Sequence, residues 1–318
     1  MIQSDEYLKK KNEFDNFYEN KLRPILEENE KDRLKYLKYF WLLFFLAIVF
    51  YPMILSVIFE RLKSFEDSSD MGWVMTLSGF VIMLVASPIY LYKKNVKPTI
   101  MNEFAGFFGD FEYKFEKYIS DEDIVRSRIF KSYNSHKGDD YFCGTYKDVG
   151  IIVSEEILKN ITYDNSNNKK IKTVFKGVCV LLEMNKNFTG QTVVLDDKGL
   201  FNALNKISGL ENVKLEDSKF EKLFEVYAND QIEARYLLTT GFMERMLKLQ
   251  DLYQGKNICF SFIENKLLIA ISTKENMFEA NSFFRSNINK KKVDTVFEQF
   301  YTIFSIVDIL KLNKRLGM

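Results

Sequence analysis

The sequence predicts an α+β protein that carries a two-helix transmembrane hairpin, and three observations lead there. Two uncharged apolar runs, Tyr39 to Phe59 and Met71 to Tyr92, each have the length of a bilayer-crossing helix. From about residue 140 the chain changes to short β-branched and apolar runs bounded by turn-forming residues. Stripes of apolar residues at helical spacing flank those runs, so an antiparallel sheet covered by helices is expected.

The spans come first. Neither 39–59 nor 71–92 contains Asp, Glu, Lys, Arg or His, which suits an anchor and argues against an ion pathway or proton relay through them. A helix uncharged on every side is unusual for a soluble core, because one face normally meets water. The highly charged segment ahead of residue 39 does not suit a cleaved signal peptide. Pro52 and Pro88 fall inside the spans and predict kinks. Trp41, Tyr51, Trp73, Tyr90 and Tyr92 lie mostly near the run ends, where amphipathic rings favour the headgroup zone. Lys31, Arg33, Lys35 and Lys38 precede the first span against the single Asp32, and Lys93, Lys94 and Lys97 follow the second. The connecting segment 60–70 holds Arg61 and Lys63 against Glu60, Glu66, Asp67 and Asp70. Positive-inside bias therefore predicts a multi-pass protein with both termini cytoplasmic and 60–70 as a short outside loop.

After the spans, about 225 of the 318 residues remain, enough for one large or two small domains. The net charge of +1, from 45 basic and 44 acidic residues, gives no general attraction to nucleic acid. Topology and anionic lipid account for the local bases. Cys143, Cys179 and Cys259 are widely separated and His136 is the only histidine, so no metal site is expected, and the thiols suit small apolar core positions.

The chain divides by pattern into four parts. Residues 1–38 place Phe14, Phe17, Tyr18, Leu22, Ile25 and Leu26 three or four apart, predicting an amphipathic helix with a kink or restart at Pro24. Residues 39–92 are the spans. Within 93–135, Phe104, Phe107, Phe108, Phe111, Phe115 and Tyr118 predict a juxtamembrane helix after Pro98. These two amphipathic helices are expected to pack within the protein rather than lie on lipid. Residues 136–318 are the α+β part, with strands at Val149–Val153, Ile171–Leu182, Thr192–Leu195 and Leu223–Ala228, and a tight hairpin of Ile258–Ile263 with Leu267–Ile271. Asp230 and Glu233 resemble a helix-capping pair. Phe242, Met246, Leu249 and Tyr253 then share a helix face that Gly255 ends. Val293, Phe297, Phe300, Phe304, Val307 and Leu310 repeat at spacings of four and three, predicting a long amphipathic helix docked on the sheet.

No pattern for chemistry rises far above background. Asp139 and Asp140, beside Tyr141 and Gly144 and followed by Glu155 and Glu156, can supply paired carboxylates for acid/base work or a divalent cation, although adjacent acids in a loop are commonly just solvated. Asp230, Glu233 and Arg235 form a candidate charged cluster that capping and an ion pair also explain. Lys290, Lys291 and Lys292 can meet lipid headgroups or an acidic partner, or form a solvated loop. Gly144, Gly150, Gly177 and Gly190 spell no phosphate-binding pattern and suit turns and bulges, so no cofactor is implied. His136 lies in a polar stretch without a motif, which leaves serine and cysteine nucleophiles without a relay.

The stretch Phe220 to Leu249, with Asp140 to Gly144 before Ser154 and Glu155, Phe175 to Gly177, and Phe188 to Gly190, resembles the bacterial membrane-protein family DUF3137. The resemblance implies a bacterial inner-membrane protein of unknown activity, brings no catalytic residue, and suggests a membrane-anchored helical protein of the LemA type as partner. A non-enzymatic scaffold or interaction module is therefore expected. Its rivals are an enzyme with an acidic or metal-dependent site near Asp139 and Asp140, and, less well supported, a transporter or channel accessory subunit.

Overall fold

Apolar runs too long for one strand satisfy their backbone groups within helices, and the computed structural model follows that rule at the amino-terminal end. It describes residues 5–62, 70–197, 207–253, 257–279, 283–286 and 288–312. The chain divides into two units, one built from residues 12–101 and 280–293, the other from 1–11, 102–279 and 294–318.

Helix α1 (Asp5–Phe17) runs through one π turn (Tyr18–Leu22) into α2 (Arg23–Leu62). The widened turn falls just ahead of Pro24, which has no N–H to offer the carbonyl four residues back. The restart expected at Pro24 is thus a change of helical pitch. Helix α3 (Asp70–Asn95) pairs with α2 in antiparallel fashion: Asn95 Nδ2 donates to Tyr36 Oη (3.0 Å), and the Tyr51 and Ser78 hydroxyls bond further along. Both helices stay helical through Pro52 and Pro88. Two helical stretches, Asp5–Ile58 and Gly72–Gly106, are long and apolar enough to cross a membrane. Most of the expected outside loop, 63–69, lies outside the described residues.

The amphipathic stripe of the first helix is buried within the protein, with Phe14, Leu22 and Leu26 wholly covered. Part of its cover is helix α8 (Lys290–Leu310). Lys290 Nζ donates to Asp15 (2.5 Å) and sits over the Tyr18 ring, while Lys11 pairs with Asp294 (2.6 Å) and Tyr7 meets Tyr301 edge-on. The run Lys290 to Lys292, one reading of which was a solvated loop, is the first turn of that helix.

The larger unit is built on one antiparallel sheet of nine strands, in the order β1-β2-β3-β4-β9-β8-β5-β7-β6. They are β1 (Asp110–Lys114), β2 (Ser135–Tyr146), β3 (Val149–Tyr163), β4 (Lys169–Glu183), β5 (Gln191–Asp196), β6 (Glu211–Val213), β7 (Phe224–Ala228), β8 (Ile258–Ile263) and β9 (Lys266–Ser272). The β8–β9 hairpin inserts between β4 and β5, turning through Glu264 in a left-handed conformation. Side chains alternate across the sheet. One face gathers Leu158, Cys179, Leu181, Leu268 and Ala270 with Ile119 and with Ile124 of helix α5 (Asp121–Ser127). On the other face Phe142 meets Phe300 of α8 edge-on, with Phe104, Phe108, Phe278 and Phe304 around the same ring. Helices α6 (Gln231–Leu237) and α7 (Thr240–Leu252) follow β7, and Phe242 of α7 packs on Phe262 of β8.

Three expectations are corrected. The juxtamembrane helix, α4 (Lys97–Gly106), does not continue to Tyr118. Phe111 lies on β1, where alternation buries it together with Tyr113 and exposes Asp110 and Glu112, so the helical spacing of Phe111 from Phe104 is coincidental. The stretch holding His136, Asp139 and Asp140 is strand β2 rather than a loop. It escaped notice because its polar first half carries no apolar alternation. Gly144 and Gly177 lie inside regularly paired strands rather than at turns or bulges, where a Cβ would come within 2.0 Å of Asp110 O and 2.1 Å of Ile271 O. Gly255 lies outside the described residues.

Phe300→Ala would open a cavity among five aromatic neighbours. It is expected to cost about 3–5 kcal/mol, measured as a lowered denaturation midpoint of the full-length protein in detergent.

Candidate functional site

Strand β3 places Ile152, Ser154, Glu156 and Leu158 on one face of the sheet, two polar residues in a row otherwise made for the apolar cluster. Ser154 and Glu156 are both wholly buried. A carboxylate in such a place needs donors, because an unpaired buried charge costs several kcal/mol. Three groups provide them. Ile119 N donates to Glu156 Oε1 (3.0 Å), the Ser154 hydroxyl donates to the same oxygen, and His136 Nε2 lies 2.6 Å from Glu156 Oε2.

His136 is on β2, opposite Leu158, with Gly138 opposite Glu156. The absence of a side chain at 138 matters. A Cβ there would fall 2.2 Å from Tyr118 Cβ, so the glycine admits the Tyr118 ring, which lies 4.5 Å from the imidazole. The other ring nitrogen, Nδ1, lies 2.6 Å from Asp121 Oδ1, and the Tyr133 hydroxyl donates to that same oxygen (3.2 Å). Asp121 opens α5, whose start is fixed by the Ser120 cap on Asp123 N. The helix is tied to the β8–β9 hairpin by Lys266 to Asp123 (2.7 Å) and by Arg126 to Glu264.

The imidazole side chain is only 4% exposed. Burial by itself lowers its pKa, but hydrogen bonds and charge from Glu156 and Asp121 outweigh that and leave it raised. In the imidazolium form both N–H groups donate to carboxylates, so the ring has no lone pair to offer a nucleophile. The arrangement is a charged staple between the sheet and α5. Sequence reasoning missed it because His136, Asp121 and Glu156 are brought together only by strand register and helix placement. The one legible signal was the polar pair interrupting the apolar alternation Ile152 to Leu158.

Among the carboxylates singled out from sequence, Asp140 stands apart from the others. Asp140 is buried at a bulge with φ 54°, and accepts from the Tyr113 hydroxyl (2.7 Å). Burial first, then the Asp140 charge, pushes the Tyr113 pKa far up. Asp139 accepts from Asp140 N (2.8 Å), and Glu155 accepts from Met277 N. Asp139, Glu155 and Glu156 line a small open cleft of about 130 Å³ with Lys137, Lys176 and Thr273. Among the described residues, no group of three or more His, Cys, Asp or Glu is placed to hold a metal ion.

Asp230 caps α6, accepting from Ile232 N and Glu233 N. Glu233 does not close a reciprocal box. It accepts instead from Thr189 N (3.0 Å) and Gly190 N (2.7 Å), tying the helix to the loop before β5. Arg235 bonds to Gln231 of its own helix, so the expected charged cluster is a cap and a loop clamp rather than one group.

With this geometry in place, comparison with known proteins gives three findings. Residues 173–312, from β4 to the end of α8, match the family described as a protein of unknown function, DUF3137. No curated protein matches the chain. The crystal structure of the mycobacterial trehalose monomycolate transport factor A, TtfA, is similar over 68% of this chain and 97% of that one, with 8% identity and a TM-score of 0.36.

The raised pKa sets the sign of a pH effect. The stabilisation by His136 is complete below the unfolded histidine value, about 6.5, and is lost as pH rises through the raised folded value. His136→Ala is expected to cost about 3 kcal/mol on the acid side of neutrality and less at alkaline pH. Unfolding of both proteins followed across that range checks it, and parallel pH profiles would remove His136 as the titrating group.

Proposed function

We propose that this protein is a multi-pass protein of a bacterial inner membrane, with both termini in the cytoplasm, and that its α+β unit is a non-enzymatic module that docks a protein partner or lipid headgroups beside the bilayer. One observation carries the reading. Helices α2 and α3 turn large apolar side chains outward, with Phe45 59%, Ile82 68% and Trp73 72% exposed, where a water-soluble protein would cover them.

The flanking charges support the orientation. Lys31, Lys35, Lys38, Lys93 and Lys94 are exposed beside the ends of the apolar runs and suited to a cytoplasmic, anionic surface. Arg33 and Lys97 are buried, so they belong to the packing rather than to that signal. An interaction role is supported by a site whose histidine has both nitrogens engaged and whose buried carboxylate is met by donors. The family resemblance favours a membrane-anchored helical protein of the LemA type as the partner.

Two experiments test the proposal. A reporter fused after Met318 is expected to be active only in the cytoplasm, and one inserted between residues 60 and 70 only outside; the reverse pattern would overturn the orientation. Crosslinking in intact cells is expected to enrich a LemA-type protein on the full chain relative to residues 12–101 alone. Equal recovery from both would count against the docking role.

A further inference from the structure

The segment just ahead of α8 returns to the helical hairpin within the smaller unit. Phe283 is buried against Phe40 of α2 (ring centroids 5.8 Å) and Tyr92 of α3 (5.5 Å). Phe284 stacks edge-on against Phe40 at 5.4 Å, yet remains 55% exposed. The segment is held there from below: Arg33, itself clamped by both carboxylate oxygens of Glu30 (2.9 and 2.7 Å), donates from Nη1 to Phe283 O (2.9 Å).

The level of this contact is fixed by the sequence of the two helices it touches. On α2 the charged residues end at Lys38 and the apolar span begins at Tyr39, one residue before Phe40. On α3 the apolar span ends at Tyr92 and is followed at once by Lys93 and Lys94. Both ring contacts therefore lie within one helical turn of a charged-to-apolar boundary. That boundary is where aromatic rings collect in membrane proteins, and exposed Tyr39, Trp41 and Tyr90 already ring it. Phe284 continues the same belt. Beside it stand exposed Arg285, suited to an anionic headgroup, and Ile288, 40% exposed.

The geometry points to Phe284, with Arg285 and Ile288, as a third membrane contact: an interfacial hook that inserts into the headgroup region of the bilayer beside the two spans. It rests on the membrane reading above. An exposed aromatic next to a base, pinned by a buried guanidinium at the charged ends of two apolar runs, is matched by a lipid interface, which takes the ring and the charge together. The segment leading into α8 is thereby held at the bilayer surface by side chains far in sequence from the spans.

Photocrosslinking in native membranes tests it on the full chain. Benzoylphenylalanine would replace, one at a time, Phe284, Phe45 inside the first span, and Glu28, exposed on α2 ten residues before Lys38 and so about 15 Å beyond the boundary. Lipids carry radiolabelled acyl chains. The expected result is lipid adduct at 45 and at 284, each several-fold above 28. Adduct at 45 with only protein adduct or none at 284, or adduct at 284 no greater than at 28, would overturn the hook and leave the spans standing. No lipid adduct at 45 would overturn the membrane reading and the hook with it.

Discussion

A carboxylate that enters an apolar interior has to be met by donors or it is expelled, and Glu156 is such a group. Its demands organise one side of the sheet. The Ile119 amide must point at it, which sets the chain entering α5; His136 must reach it from β2, which sets the register of that strand; and Gly138 must lack a side chain so that Tyr118 can cover the imidazole. Asp121 then takes the second imidazole nitrogen from the helix itself. The result joins two strands, a loop and a helix through one cation, and removing that cation would leave Glu156 buried with no opposite charge beside it.

The opposite face works by a different rule. There the stabilising surface is aromatic, with Phe300 and Phe304 of α8 meeting Phe108, Phe111 and Phe142, and Tyr7 and Lys11 of α1 continuing along the same helix. Such packing tolerates no gaps but asks for little direction. The sheet thus has one face specified by hydrogen bonds and one by shape and apolar area.

The helical hairpin follows a third rule, since its large side chains face outward along most of α2 and α3. Among the described residues, polar bonds between the helices include Tyr36 with Asn95 and Tyr51 with Ser78. Where Phe283 and Phe284 meet Phe40 and Tyr92, sequence-distant chain joins that surface at its charged boundary.

By itself the sequence determined what depends on local period and composition. The two long apolar helices, the α8 stripe, the β8–β9 hairpin and the Asp230 cap were legible because each is written in consecutive residues. Strand β1 reads as helix in the sequence because Phe104, Phe108 and Phe111 share a helical spacing that runs on past the end of α4 at Gly106. Only the tertiary structure decided the nine-strand order, and with it the pairing that sets His136 beside Glu156 and Asp121. Register and helix docking are non-local: they arise from burying all apolar faces at once while leaving no buried charge unmatched, and no window of adjacent residues records that requirement.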